Sequence, residues 1–91
     1  MDMQIKKSAE QYWMESDQQE KIAELSFTED KQTLTITHTF VEPDHREQGL
    51  GAKLIAALVD DARKNKQKID PVCPYADAQF EQHPEYKDVL L

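Results

Sequence analysis

Glycine occurs only twice in these 91 residues, and both copies lie in one short stretch, Arg46-Glu47-Gln48-Gly49-Leu50-Gly51. Before it, residues 33–41 alternate, with Leu34, Ile36, His38 and Phe40 on one side and Thr33, Thr35, Thr37, Thr39 and Val41 on the other. Five β-branched side chains on a single face favour extended backbone. After it, Leu54, Ile55, Leu58, Val59 and Ala62 recur at helical spacing through Lys66. The glycines therefore join the clearest strand to the clearest helix. Without a Cβ, backbone N–H groups there can approach a ligand closely. The first turn of a helix also carries unpaired donors and roughly half a positive charge. Such a junction suits phosphate, although two glycines ahead of a helix can equally be a plain turn.

The remaining pattern fills in around this junction. Residues 11–15 read as a short strand followed by a polar turn at 16–20. Residues 21–28 alternate, with Ala23, Leu25 and Phe27 on one side, as a half-buried strand does. Residues 29–32 form a polar connection without glycine, predicted to be a four-residue hairpin loop. Residues 68–73 offer one more strand, in which Pro71 must face an open edge or a bulge. Residues 75–82 read as a short helix, interrupted by Pro84 before a final turn. The predicted order is β-β-β-α-β-α. This is a mixed α+β fold with a mostly antiparallel sheet and one parallel strand–helix–strand crossover, right-handed by the general rule. The whole chain, 1–91, is expected to be a single domain.

Composition narrows the function classes. Charged residues make up 32% and apolar residues 38%, as in a globular rather than a disordered chain. No apolar run approaches the roughly 18 residues that cross a bilayer, and the polar residues 1–10 carry no export signal. The single cysteine, Cys73, cannot form an internal disulfide, which together with the N-terminus predicts a cytoplasmic protein. A net charge of −7 argues against nucleic acid as partner. Residues 42–68 nonetheless carry a balance of +1, leaving −8 on the rest. His38, His45 and His83 are isolated and Cys73 lacks a nearby second cysteine, so no metal site is predicted.

Two other phosphate motifs do not fit. A dinucleotide fingerprint needs a small residue where Leu54 stands, and a P-loop needs Gly-Lys-Ser/Thr where Gly51-Ala52-Lys53 stands. The segment from Val41 through Glu42, Pro43, Asp44, His45, Arg46, Glu47, Gln48, Gly49, Leu50 and Gly51 to Ala52 instead resembles the acetyl-coenzyme A signature of the GNAT acyltransferase superfamily. Its core is Arg/Gln-x-x-Gly-x-Gly/Ala after a strand ending in Val and a Pro. Downstream, Pro71-Val72-Cys73-Pro74-Tyr75 and His83-Pro84-Glu85-Tyr86 resemble its minimal-length branch, the small GNAT-like N-acetyltransferases.

The resemblance implies acetyl-coenzyme A as cosubstrate and an amine as acceptor. It implies that backbone amides of Gln48, Gly49, Leu50, Gly51 and Ala52 hold the diphosphate, with Arg46 opening the loop. Lys53 and the helix-end cations Arg63, Lys64 and Lys66 would assist the adenosine 3′-phosphate. The amide of Phe40 or Val41 would polarise the thioester carbonyl, and the pantetheine arm would fill the gap between the strands ending at Val41 and Cys73. Cys73 and Tyr75 are the implied catalytic candidates. Cys73 is either a transient acyl carrier or a half-buried thiol packing beside the ligand. Tyr75 lines the acyl pocket or protonates the departing thiol, with Tyr86 a weaker alternative. This chain departs from the branch at Phe40, where an acid is usual, so no general base stands there. His38, on a face with Leu34 and Ile36, reads as a hydrogen-bonded core histidine rather than a base. Tyr12, Trp13 and Phe27 read as core or sheet-face aromatics. At this length the helices that larger relatives use for acceptors are expected to be missing, leaving the acceptor site open or completed by a partner.

Two functional readings follow. One is an N-acetyltransferase whose acidic surface favours a basic acceptor, such as a lysine-rich protein or a polyamine. The other is a non-catalytic acyl-coenzyme A binding or protein-interaction module, which the replacement at Phe40 and the short chain favour.

Overall fold

A computed structural model describes residues 4–91; residues 1–3, part of the polar N-terminal stretch, lie outside the described residues. The alternating segments pair as one five-stranded sheet in the order β1-β2-β3-β4-β5. The strands are β1 (Ile5–Lys7), β2 (Gln11–Glu15), β3 (Lys21–Asp30), β4 (Thr33–Val41) and β5 (Lys68–Pro71). The first four are antiparallel, and β5 lies parallel to β4 after the crossover through helix α1 (Leu50–Lys64). Helix α2 (Pro74–Gln82) follows β5, and 3-10 turns occupy Pro43–Gln48 and Pro84–Val89. The mixed, mostly antiparallel architecture is the predicted one, with an added edge strand. β1 has a single apolar residue, Ile5, and pairs with β2 through Lys6–Trp13 and Lys7–Tyr12, so no alternation announced it.

Helix α1 buries Leu50, Gly51, Leu54, Ile55, Leu58, Val59 and Ala62 along one stripe. The sheet meets it with Tyr12, Met14, Leu25, Phe27, Leu34, Ile36 and Ile69, all buried in one cluster. Fully burying each such aliphatic side chain contributes about 1.5–3 kcal/mol, which outweighs the weak intrinsic preferences of these short strands. α1 ends two residues earlier than its pattern suggested. Lys66 takes a left-handed conformation with φ 57°, and the Gln67 N–H bonds to the Ala62 carbonyl at 2.8 Å. The β3–β4 connection is also tighter than the predicted four-residue loop. β3 runs to Asp30, β4 starts at Thr33, and Lys31 supplies the positive φ of 58° that a glycine would usually provide.

One irregularity in β4 decides which side chains face the helix. Ser26 and Phe27 are adjacent on β3, but their partners His38 and Ile36 are two apart, so Thr37 is an extra residue, a β-bulge. Beyond it the alternation reverses. Thr39 and Val41 join Leu34 and Ile36 on the helix side, opposite Leu25 and Ala23. His38 and Phe40 turn to the other face, opposite Ser26 and Glu24. The predicted face shared by Leu34, Ile36, His38 and Phe40 is therefore corrected: His38 is an exposed residue, not a core histidine, and Phe40 is 37% exposed.

Across the sheet from the bulge, Tyr12 anchors α1. Its ring packs edge-on to Phe27 at 5.4 Å, and its hydroxyl donates to Asp61 on the helix. Burial, with the Asp61 carboxylate beside it, pushes the Tyr12 hydroxyl well above the ordinary tyrosine range. Burial also pushes Asp61 up, but bonds from Lys7 and Tyr12 outweigh it and hold the carboxyl below the ordinary aspartate value. A carboxyl depressed in the fold contributes stability above its unfolded value, and that contribution is lost as pH falls through the folded value. Tyr12→Phe should therefore cost about 1–2 kcal/mol at neutral pH. In urea denaturation the difference from the native chain should shrink as pH drops below 3.8. A difference independent of pH would contradict the pairing.

Candidate functional site

The parallel pairing of β4 with β5 stops at Ile36–Pro71, and the Cys73 N–H makes one further bond to the Ile36 carbonyl at 3.0 Å. Pro71 thus sits at the end of an edge strand, where its missing donor does no harm. From there the chains diverge. β4 continues to Val41 while the chain turns at Cys73 into α2, so among the described residues no strand pairs with residues 37–41 on that side.

The register says which main-chain groups face the gap. The Glu42 N–H bonds straight across to the Ile22 carbonyl at 2.8 Å, which makes 22/42 a hydrogen-bonded pair. Antiparallel pairs alternate, so Glu24/Phe40 is bonded and the pairs of Thr39 and Val41 are not. The amide of Phe40 is therefore directed into β3, whereas the N–H and C=O of Thr39 and Val41 point into the gap. The two amides named from sequence therefore point opposite ways, and of the pair Val41 directs its amide into the gap.

A cleft of about 280 Å³ fills the divergence. Thr39, Phe40 and Val41 form one wall, Arg46, Gly49, Leu50 and Gly51 another, and Tyr75 the third. Of the residues singled out from sequence, Gln48, Ala52, Lys53 and Cys73 do not line it. Gln48 and Lys53 are exposed beside it, Ala52 is half-buried, and Cys73 is 8% exposed at the start of α2. The helix-end cations lie apart from the cleft. Arg63 lies twelve residues beyond Gly51, roughly 18 Å along the helix axis. It is engaged there by Asp88 at 2.6 and 2.9 Å. Lys64 and Lys66 lie at the same far end.

Each glycine has a separate role. Gly49 caps α1 in a left-handed conformation, φ 68°, with open space around it. Gly51 has an ordinary backbone, but a Cβ there would meet the Tyr75 ring at 2.9–3.1 Å. In the first turn, the Lys53 N–H already bonds to the Gly49 carbonyl at 3.1 Å, leaving the amides before it free of intrahelical partners. Arg46, although exposed, is drawn back: its Nε donates to the Val41 carbonyl at 3.1 Å, tying the 3-10 turn to the end of β4.

On the third wall, burial pushes the Tyr75 hydroxyl above the ordinary tyrosine value, partly offset by a hydrogen bond from the Ala52 amide. That phenol is protonated at neutral pH. Burial also pushes the Cys73 thiol up, but the amides of Ala76 and Tyr75 at the start of α2 and the Thr39 hydroxyl and backbone outweigh it, leaving the thiol below its ordinary value. The sequence alone suggested no group able to lower it. Its Sγ lies 3.6 Å from Thr39 Oγ1. Thr39 was not singled out from sequence, because an uninterrupted alternation placed it with the other threonines; only the bulge turns it into the cleft.

The two glycines should respond differently to alanine. At Gly49 the left-handed backbone costs about 1–2 kcal/mol and nothing offsets it. At Gly51 a helix-propensity gain of about 1 kcal/mol opposes an overpacking cost of about 1–3 kcal/mol. Gly51→Ala should lose less stability than Gly49→Ala in denaturant titrations, yet it alone should shift the NMR signals of the Tyr75 ring. Unchanged Tyr75 signals would contradict the packing.

Known proteins share this fold. The sequence profile of a family described as GCN5-related N-acetyl-transferase matches residues 11–89. The solution structure of a candidate GCN5-like N-acetyltransferase from Staphylococcus aureus superposes with a TM-score of 0.82 at 32% identity, covering 98% of this chain and 88% of that one. The ribosomal-protein-S18-alanine N-acetyltransferase of Escherichia coli superposes at 0.66 with 19% identity over 85% of this chain. A candidate acetyltransferase from Agrobacterium tumefaciens superposes at 0.63 with 24% identity over 90% of it. This chain spans 53% and 59% of those two longer proteins, which share its fold. No curated protein matches. On the family profile, which extends over most of the chain, and on the structural likeness together, this protein belongs to the GCN5-related N-acetyltransferase family.

Proposed function

We propose that this protein transfers an acetyl group from acetyl-coenzyme A to a primary amine. The observation that carries the reading is the meeting, in one cleft, of an unpaired strand edge at Thr39 and Val41 with the open first turn of α1 at Gly49–Gly51. The pantetheine arm is an extended chain with amide groups. Along residues 39–41 it takes the place of the missing β5 pairing, as an added strand does. The amides of Gly49, Leu50 and Gly51 then meet the diphosphate at the positive end of the helix. Gln48 and Ala52 border that site, and Arg46 and Lys53 contribute positive charge.

The chain's own groups supply three services to the reaction. The Val41 N–H donates to the thioester carbonyl oxygen, a bond that strengthens as charge develops there. The cleft holds the carbonyl carbon in place for a neutral amine nitrogen, which forms the new C–N bond and loses its proton to water. The C–S bond breaks with its electron pair on sulfur, and the Tyr75 hydroxyl supplies the proton that completes the thiol, recovering it from solvent. Cys73 supports the wall through Thr39 rather than carrying the acetyl group, since it does not line the cleft.

Adding acetyl-coenzyme A should produce saturable NMR shifts centred on Val41, Gly49–Gly51 and Tyr75, and amines should release free thiol. Absence of saturable shifts would overturn the reading. Binding with no thiol release on any amine would assign the cleft to a non-catalytic acyl-coenzyme A module. Tyr75→Phe should lower kcat by about 10²-fold with little change in KM for acetyl-coenzyme A. Cys73→Ala should keep most of its turnover, and quenched samples of the native protein should show no acetylated Cys73 by mass spectrometry. An adduct there that passes to product would restore the acyl-carrier role.

A further inference from the structure

The sheet face opposite α1 carries Gln11, Trp13, Glu24, Ser26, His38 and Phe40, and among the described residues none of these is buried. Trp13, Glu24 and Phe40 stand side by side in register on three adjacent strands. An ammonium group is already held on this row. Lys21 Nζ lies 4.9 Å from the centroid of the Trp13 ring, donates to Gln11 Oε1 at 2.9 Å and stands 3.6 Å from Glu24 Oε2. An aromatic face, an amide oxygen and a carboxylate are the three kinds of partner an ammonium uses.

The surrounding contacts hold these partners in place. The Trp13 indole N–H donates to Glu15 Oε2 at 2.9 Å, fixing the ring, and Lys6 pairs with the other oxygen of Glu15 at 2.7 Å. Gln11 Nε2 donates to Ser26 Oγ at 3.1 Å and, more weakly, to Glu24 Oε2 at 3.4 Å, which orients its oxygen toward the cation. Lys21 itself is half exposed, on a flexible stem at the first residue of β3, and a tie of that kind is weak. A free ammonium can replace it.

The position of this cage gives it a use. Neighbouring strands lie about 4.8 Å apart, so Trp13 on β2 is roughly 10 Å from the β4 residues that wall the cleft. A cation between Trp13 and Glu24 therefore lies within about 10 Å of Phe40, the cleft-wall residue on the same face. We propose that Gln11, Trp13 and Glu24 form an ammonium subsite for the second cationic nitrogen of a diamine or polyamine acceptor, with Lys21 as its built-in competitor. The cage stands on its own geometry. Only the fate of the first nitrogen rests on the acetyl-transfer reading.

Trp13 is the single tryptophan of the chain, so its fluorescence reports the cage directly. Without acetyl-coenzyme A and at constant ionic strength, putrescine should change that fluorescence saturably and n-butylamine should bind at least about tenfold more weakly. Lys21→Met should tighten putrescine binding several-fold, and Glu24→Gln should weaken it about tenfold. Equal responses to the two amines, or an unchanged putrescine affinity in Lys21→Met, would overturn the proposal. With acetyl-coenzyme A present, Glu24→Gln should raise KM for putrescine while leaving kcat intact. A fall in kcat with n-butylamine would instead give Glu24 a role in removing the proton and contradict the subsite. Acetyl-coenzyme A shifts at Val41 and Gly49, recorded in the same variants, separate a failure of the cage from a failure of the transfer reading.

Discussion

Thr37 is one residue more than β3 can pair, and the geometry of the cleft depends on how β4 absorbs it. Without the extra residue, β4 would keep Leu34, Ile36, His38 and Phe40 on the helix side to its end. The last two would then bury a histidine and a phenylalanine against the start of α1. With it, Thr39 and Val41 take the helix side, and small side chains replace large ones where the strands part. A bulge also bends its strand and strengthens the local twist, which suits the divergence of β4 from the chain leaving β5. The cleft is therefore a product of backbone register as much as of the residues that line it.

The same irregularity organises both faces of the sheet. On the helix side it brings Thr39 to Cys73 and aims the main chain of Val41 at the space beside Gly49 and Gly51. On the open side it sets Phe40 beside Glu24 and completes the row that begins at Trp13. Tyr75 closes the cleft from α2 with its ring over Gly51, a contact that only a missing Cβ permits. One glycine thus shapes the backbone and the other makes room for a side chain. Within the family's fold, these contacts give the glycine-rich junction a packing role besides any role toward a ligand.

Much of this was legible in the sequence because long elements state their period plainly. The α1 stripe from Leu54 to Ala62, the β3 alternation at Ala23, Leu25 and Phe27, and the parallel return to β5 follow from local pattern. The junction carrying both glycines lies between strand and helix as read. The bulge was not legible: residues 33–41 alternate without a break, and the extra residue is defined only by pairing with β3. The errors over His38 and Phe40 both follow from that one hidden step. β1 was missed because three residues with one apolar side chain carry no period, and its pairing comes from β2. The tight turn at Lys31 was missed because nothing in the side chain advertises a positive φ. Thr39 and the lowering of the Cys73 thiol depend on contacts between distant segments, which no local pattern encodes.

The central claim is that Val41 offers its amide to a ligand, its carbonyl being held by Arg46 and Thr39 being bonded to Cys73, while the amides of Phe40 and His38 are directed into β3. Residue-resolved amide hydrogen exchange tests it most directly. In the free protein the Phe40 and His38 amides should exchange slowly and that of Val41 quickly. Saturating acetyl-coenzyme A should slow Val41 by more than about tenfold and leave Phe40 unchanged. Equal protection of Phe40 and Val41 in the free protein, or no slowing of Val41 with ligand, would contradict the account.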